Sequence, residues 1–203
     1  MRQIISIYCC GGIVKGEGDS AKVSWGEDVR GALCEALTPT RIVFLDPVDR
    51  SDDVANAFTV FGRDHYQISL CDFFEADLTQ RRGIGVGIEM LSAKWQGKPL
   101  VAVAPPESHY RRSHLAYLGG QVPDYVHAHL FGVADVIVDN FGSAGAWIKA
   151  HLAEPARAKN ISVITEAIAA YVGTQLPVDM PMQAAIRELK SAGRCVDLPG
   201  SIV

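Results

Sequence analysis

The chain has 203 residues, 48% of them hydrophobic, enough to bury a core in one domain with at most a small appendage. A formal net charge of −4, with the two signs interspersed, argues against the strongly basic surface of a nucleic-acid scaffold. Five cysteines without a C-x-x-C pair speak against a disulfide framework or a zinc site, and no apolar run approaches the ~20 residues of a membrane helix.

Residues 4–10 are a short apolar, β-branched run stopped by Gly11 and Gly12, which predicts a buried first strand. The turn from Gly11 to Ser20 holds four glycines and one lysine. It is either an anion cradle or a plain surface loop, and it lacks the G-x-x-x-x-G-K-[ST] pattern of a phosphate loop. Residues 27–37 place Val29, Leu33, Ala36 and Leu37 on one helical face, and Pro39 ends the helix. Residues 41–45 predict a second strand, closing at Asp46-Pro47. A polar segment over 48–56 reads as a loop or lid. Residues 64–72 predict a helix, with Asp64 near its start, where an acidic cap is ordinary chemistry.

Residues 71–95 hold the most informative stretch. A buried strand over 73–76 ends at Asp77, a polar turn follows, and Gly83, Gly85 and Gly87 alternate before a helix carrying Ile88, Leu91 and Trp95 on one face. Glu89 is assigned to the first turn of that helix, where the helix dipole favours an ionised carboxylate. The glycines let a ligand approach the backbone closely, and backbone N–H groups of residues 83–87, with Arg81 and Arg82, are candidates for an anion. The G-x-G-x-x-G dinucleotide fingerprint is absent.

Residues 98–104 predict a further strand, stopped by Pro105-Pro106; residues 107–123 read as polar loop, 125–131 as helix, 135–138 as strand and 141–152 as helix. Strand and helix thus alternate five times, which implies an α/β fold: a doubly wound, five-stranded parallel sheet of Rossmann or flavodoxin-like type. Ligands of such sheets sit beyond the carboxyl ends of the strands, here marked by Gly11, Gly12, Asp46, Asp77, Pro105 and Asn140. Two amphipathic stretches, 161–172 and 182–190, read as a helical extension. The division is therefore a catalytic domain over 1–153 and an extension over 154–203.

Several residues have plain readings beside sharp ones. His127 and His129, two apart on a helix, point to different faces and suit the surface better than a metal. Cys9 and Cys10 read as packing residues. Tyr8 and Trp25 could stack on a base or pack in the core. Trp95 and Trp147 read as core or interface anchors.

The segments Tyr8-Cys9-Cys10-Gly11-Gly12-Ile13, Arg63-Asp64, Cys71-Asp72, Ala76-Asp77-Leu78-Thr79-Gln80 and Gly85-Val86-Gly87-Ile88-Glu89 resemble, in this order, the motifs of nucleoside 2-deoxyribosyltransferase-like proteins. The branch that cleaves nucleoside 5′-monophosphates is the most similar, and the resemblance covers residues 4 to about 140. It implies that Glu89 is the nucleophile forming a glycosyl-enzyme intermediate, that Asp64 assists the departing base, and that Asp77 lies near the sugar hydroxyls. It also implies a phosphate-binding turn from Gln80 to Gly87, including Arg81, Arg82 and Gly85, and a first turn (Gly11, Gly12, Ile13) closing over the sugar. The implied partner is a small nucleoside or nucleotide, with neither nucleic acid nor membrane, no cofactor and no metal. A homodimer or higher homo-oligomer follows from the same likeness, and the unpaired cysteines, with no membrane-length apolar run, read as a cytoplasmic protein. The chemistry agrees with the residues: an oxocarbenium-like transition state needs one carboxylate facing the sugar and an acid at the leaving group. The alternatives are a NAD glycohydrolase and a non-catalytic nucleotide sensor.

Overall fold

A computed structural model of the chain describes residues 3–12 and 25–194. In chain order the elements are β1 (Ile4–Cys10), α1 (Glu27–Ala36), β2 (Arg41–Leu45), α2 (Ala57–Leu70), β3 (Phe73–Asp77), α3 (Ile84–Trp95), β4 (Leu100–Val103), β5 (Arg111–Tyr117), β6 (Gly120–Val126), α4 (Ala128–Val133), β7 (Val136–Val138), α5 (Phe141–Ala153), α6 (Val163–Thr174) and α7 (Met180–Ser191). The chain divides into two compact units, Met1–Asn160 and Ile161–Val203. Residues 154–160 stay with the first because Lys159 is tied to it. Its backbone N–H donates to Asp135 Oδ1 at 2.6 Å and its Nζ to the Ala134 carbonyl at 2.7 Å.

The first unit holds a five-stranded parallel sheet in the order β2-β1-β3-β4-β7. The strand order reverses direction between β1 and β3, and at that switch point such sheets open a crevice at their carboxyl ends. All five residues of β3 are buried, as a central strand covered on both faces requires. The pairing Tyr8↔Phe74 and Cys10↔Ala76 sets those four side chains on one face, beneath α2, α3 and α4. Ile5, Ile7, Cys9 and Phe73 face the other way, toward α1 and α5. There the helices cross so closely that a Cβ on Gly145 would lie 2.6 Å from the Ala36 Cβ, so only glycine fits.

Residues 107–131 correct the expectation of a loop followed by a helix. β5 and β6 form an antiparallel hairpin turning at Leu118-Gly119, both at positive φ, the backbone of a two-residue primed turn. Tyr125 and Val126 therefore end a strand, and the helix expected over 125–131 starts only at Ala128. A leucine in a turn that usually takes Asn or Asp, with Pro123 inside the second strand, hides this hairpin from pattern reading. The helix before β3 starts at Ala57, seven residues before Asp64, and is capped by Asn56 accepting from Thr59 N at 3.2 Å. Asp64 is therefore not its cap. In the second unit, Asp179 caps α7 by accepting from Met182 N at 3.1 Å, and the Tyr171 hydroxyl donates to the same carboxylate at 2.7 Å. No described helix is long and apolar enough to cross a membrane.

Candidate active site

β1, α2 and α3 bring three of the expected residues together, Tyr8, Asp64 and Glu89. Tyr8, wholly buried, stacks its ring on Phe74 at 5.1 Å, so the ring is core and not a base platform. Its hydroxyl faces the Glu89 carboxyl but makes no hydrogen bond of full geometry. The Cys10 thiol, two residues along the same face of β1, meets Glu89 as well. From α2, Asp64 comes close enough to raise the Glu89 pKa by like charge.

Glu89 is the sixth residue of α3, in the second turn and not the first. The helix dipole fades over that distance. Its carboxyl pKa is pushed up chiefly by burial; Asp64 adds to the shift, while the Cys10 thiol and Tyr8 hydroxyl oppose it. This corrects the expectation of a carboxylate kept ionised by the helix end. Burial also dominates at Asp64 and pushes its carboxyl up, against the pull of Arg50 and Arg63, each 3.7 Å from Oδ1. That oxygen is buried and makes no hydrogen bond. Half-buried Glu89 and buried Asp64 thus both have their pKa values raised, and the Asp64 charge contributes to the shift at Glu89.

Asp77 is built differently. Its Oδ1 accepts from Thr79 N at 3.0 Å and from Thr79 Oγ1 at 2.6 Å, while Oδ2 pairs with the Arg82 guanidinium. Arg82 also donates Nε to the Asp77 carbonyl at 2.7 Å, and its backbone N–H donates to the Tyr110 hydroxyl at 2.8 Å. With both side chains about 95% buried, the pair locks the β3–α3 turn. The Arg82 charge is thus committed to Asp77 and is not offered to a phosphate.

The remaining candidates spread along the rim. Gln80 and Arg81 are exposed in the turn. A Cβ on Gly85 would lie 3.8 Å from Glu89 Oε1, and a Cβ on Gly87 would meet open space. Gly11 and Gly12 are half-buried at the end of β1, and Ile13 lies outside the described residues. Asn140 is exposed and caps α5, accepting from Ser143 N at 2.9 Å. Asp46 is held by Arg30 at 2.6 Å. Trp25 donates its indole N–H to the Cys10 carbonyl at 3.3 Å and packs edge-on against Phe141, as a core residue.

Sequence reasoning missed Cys10, Arg50 and His65. Cys10 was legible, because alternation along β1 puts it on the face of Tyr8. Arg50 had no signal, since it arrives from the polar segment taken as a loop. His65 packs on the Phe61 ring at 3.9 Å and favours ionisation of both Asp64 and Glu89. Among the described residues, no three His, Cys, Asp or Glu side chains are placed to hold a metal.

No family model and no curated protein matches the chain. Among solved structures, a 2-deoxyribosyltransferase from Leishmania mexicana aligns at 21% identity and a TM-score of 0.51, over 72% of this chain and 98% of its own. A 2-deoxyribosyltransferase from Bacillus psychrosaccharolyticus aligns at 12% identity and 0.44, over 69% and 90%. A CMP N-glycosidase from Clostridium botulinum aligns at 15% and 0.38, over 71% and 98%. The first of these likenesses establishes that the chain has the fold of the Leishmania 2-deoxyribosyltransferase, with its flavodoxin-like sheet.

Proposed function

We propose that the protein cleaves the N-glycosidic bond of a nucleoside or its 5′-monophosphate, with Glu89 as nucleophile. The observation that carries this reading is the placement of half-buried Glu89 close enough to buried Asp64 to feel its charge, beside the β1/β3 switch point, with the Tyr8 hydroxyl facing Glu89. The shared fold with a deoxyribosyltransferase makes the same chemistry the natural comparison.

A Glu89 carboxylate oxygen attacks C1′ of the sugar, and the bond from C1′ to the base nitrogen breaks. The electron pair leaves with the base, which takes a proton from Asp64. Burial pushes the Asp64 pKa up, which favours the protonated form that an acid needs. Tyr8 and Cys10 face the nucleophile as neutral donors and hold its ionised form in an otherwise desolvated site. Water or a second base then attacks C1′, the ester to Glu89 breaks, and Asp64 removes a proton from the acceptor. Anion recognition at the β3–α3 turn does not draw on the Arg82 charge, which is held by Asp77.

The test is base release from nucleosides, their 5′-monophosphates and NAD, followed by chromatography for wild type and Glu89→Gln. Base released by the wild type and lost in the variant supports the proposal. A new nucleoside formed on adding a second free base identifies a transferase, and nicotinamide released from NAD identifies a glycohydrolase. A panel from which nothing is released, while nucleotides still bind to both proteins, refutes catalysis and leaves a nucleotide sensor.

A further inference from the structure

On the opposite side of α3 from Glu89 lies a cavity of about 530 Å³, the size of a small-molecule site. At 100° per residue, Ile84, Gly87 and Leu91 project roughly opposite Glu89, and these residues line it. The cavity is therefore separated from the carboxyl pair by the helix itself. Its floor is apolar, with Val86, Met90 and Leu130 all buried.

The rest of the lining has one electrostatic sign. His109, His127 and His129 converge on it, with ring centroids 6.5 Å apart for His109–His127 and 5.6 Å for His127–His129. Arg81 adds a permanent cation, and none of the described lining residues is acidic. The hairpin and the short helix produce this convergence together. His127 N donates to the Tyr110 carbonyl at 2.9 Å, closing the base of the hairpin. His127 thus precedes α4 as its N-cap while His129 lies within it, so the two rings are not sent to opposite faces as they would be on one continuous helix.

We propose that this cavity binds a small organic anion with an apolar body, the imidazoles and Arg81 meeting the anionic group while the floor takes the apolar part. The groups facing the three imidazoles are Arg81 and Arg82 from the β3–α3 turn and Tyr110 from the hairpin base, and Arg82 is neutralised by Asp77. His127 has its pKa lowered by burial first and then by His129 and His109, so its ring resists charging until an anion arrives. Binding should accordingly tighten as the medium is acidified and positive charge at His127 is favoured.

The experiment is a fluorescence titration of the full chain with 8-anilinonaphthalene-1-sulfonate, beside its neutral counterpart N-phenyl-1-naphthylamine, at pH 6 and pH 8. His109 and His129 are exposed, so the double variant His109→Ala/His129→Ala should fold. The expected result is one sulfonate site, tighter at pH 6 and weakened about tenfold or more in the variant, with the neutral compound binding both proteins alike. Sulfonate binding that is absent, or indifferent to pH and to the variant, overturns the proposal. Equal weakening of both compounds also overturns it, since the histidines would then shape the cavity and not recognise charge. The proposal does not rest on glycosidic cleavage, and inactivity of the protein on nucleosides would leave it standing.

Discussion

Two carboxylates close in sequence, Asp77 at the end of β3 and Glu89 in α3, have opposite surroundings. Asp77 has both oxygens committed, to Thr79 and to a buried arginine. Glu89 faces a phenol, a thiol and another carboxyl, with burial pushing its pKa up. The difference teaches that an acidic residue in a motif becomes chemically available only where its neighbours leave it unsatisfied. The Asp77 carboxylate holds a turn, and the Glu89 carboxyl is left without an ion-pair partner among the described residues.

Substitution should separate the two most sharply. Glu89→Gln is expected to reduce base release by about 10⁴-fold or more, the scale of losing a nucleophile. Its stability should move the other way. A carboxyl whose pKa is higher folded than unfolded contributes stability below the unfolded value and loses it as pH rises. Glu89 therefore costs stability at neutral pH, and Glu89→Gln should melt higher than wild type at pH 7 and equal to it near pH 4. Asp77→Ala leaves Arg82 buried without its partner, which costs about 3–5 kcal/mol. A lowered denaturation midpoint in Asp77→Ala, with Glu89→Gln unmoved or raised, bears out the contrast; the same loss in both variants breaks it.

Asp64→Asn comes next. Losing a general acid costs about 10²–10⁴-fold, and the loss should be smallest for substrates whose leaving base needs little protonation. Rates for two bases of different basicity, compared in both proteins, check this. A uniform loss across bases would move Asp64 from proton donor to positioning residue.

The five parallel strands were legible because each is a short apolar run closed by Gly, Pro or Asp, and buried parallel strands leave that mark. The β5–β6 hairpin was not. Its strands are polar and largely exposed, and its turn residue is Leu118, so neither alternation nor turn chemistry announced it. At the site, Glu89 and Asp64 were legible as motif residues. The ion pair of Arg82 was not, because nothing in Arg81-Arg82 says which guanidinium turns inward to Asp77. The helix start at Ile84 moved Glu89 into the second turn and reversed the argument about its charge: burial outweighs a dipole felt from the second turn. The histidine cavity depends on the unread hairpin, and so could not be seen from spacing.

A third carboxyl sharpens the comparison. Glu75, two residues before Asp77 on β3, is fully buried, and neither of its oxygens has a hydrogen-bond partner among the described residues. Burial, with Asp77 adding to it, pushes its pKa well up and favours its protonated form. Keeping a proton at neutral pH on a group that ionises freely once unfolded costs stability. The sign follows: the cost is absent below pH 4.5 and grows as pH rises. Glu75→Gln should therefore raise the chemical-denaturation midpoint at pH 7 and leave it unchanged near pH 4. A variant destabilised at both values would mean that the carboxyl is used by some partner in the folded chain.

The smallest effect belongs to Tyr8. Tyr8→Phe keeps the ring against Phe74 and removes a buried hydroxyl that makes no full hydrogen bond, so stability should hold. The hydroxyl does help to hold Glu89 ionised, and without it the carboxyl pKa climbs further. Because attack needs the carboxylate, the acidic limb of the pH–rate profile should move to higher pH, with kcat at neutral pH falling about tenfold and KM little changed. A Tyr8→Phe enzyme whose kcat drops equally at all pH values would show that the hydroxyl acts on the substrate and not through Glu89. An unaltered profile would detach Tyr8 from the site and leave Cys10 as the donor facing the nucleophile from β1.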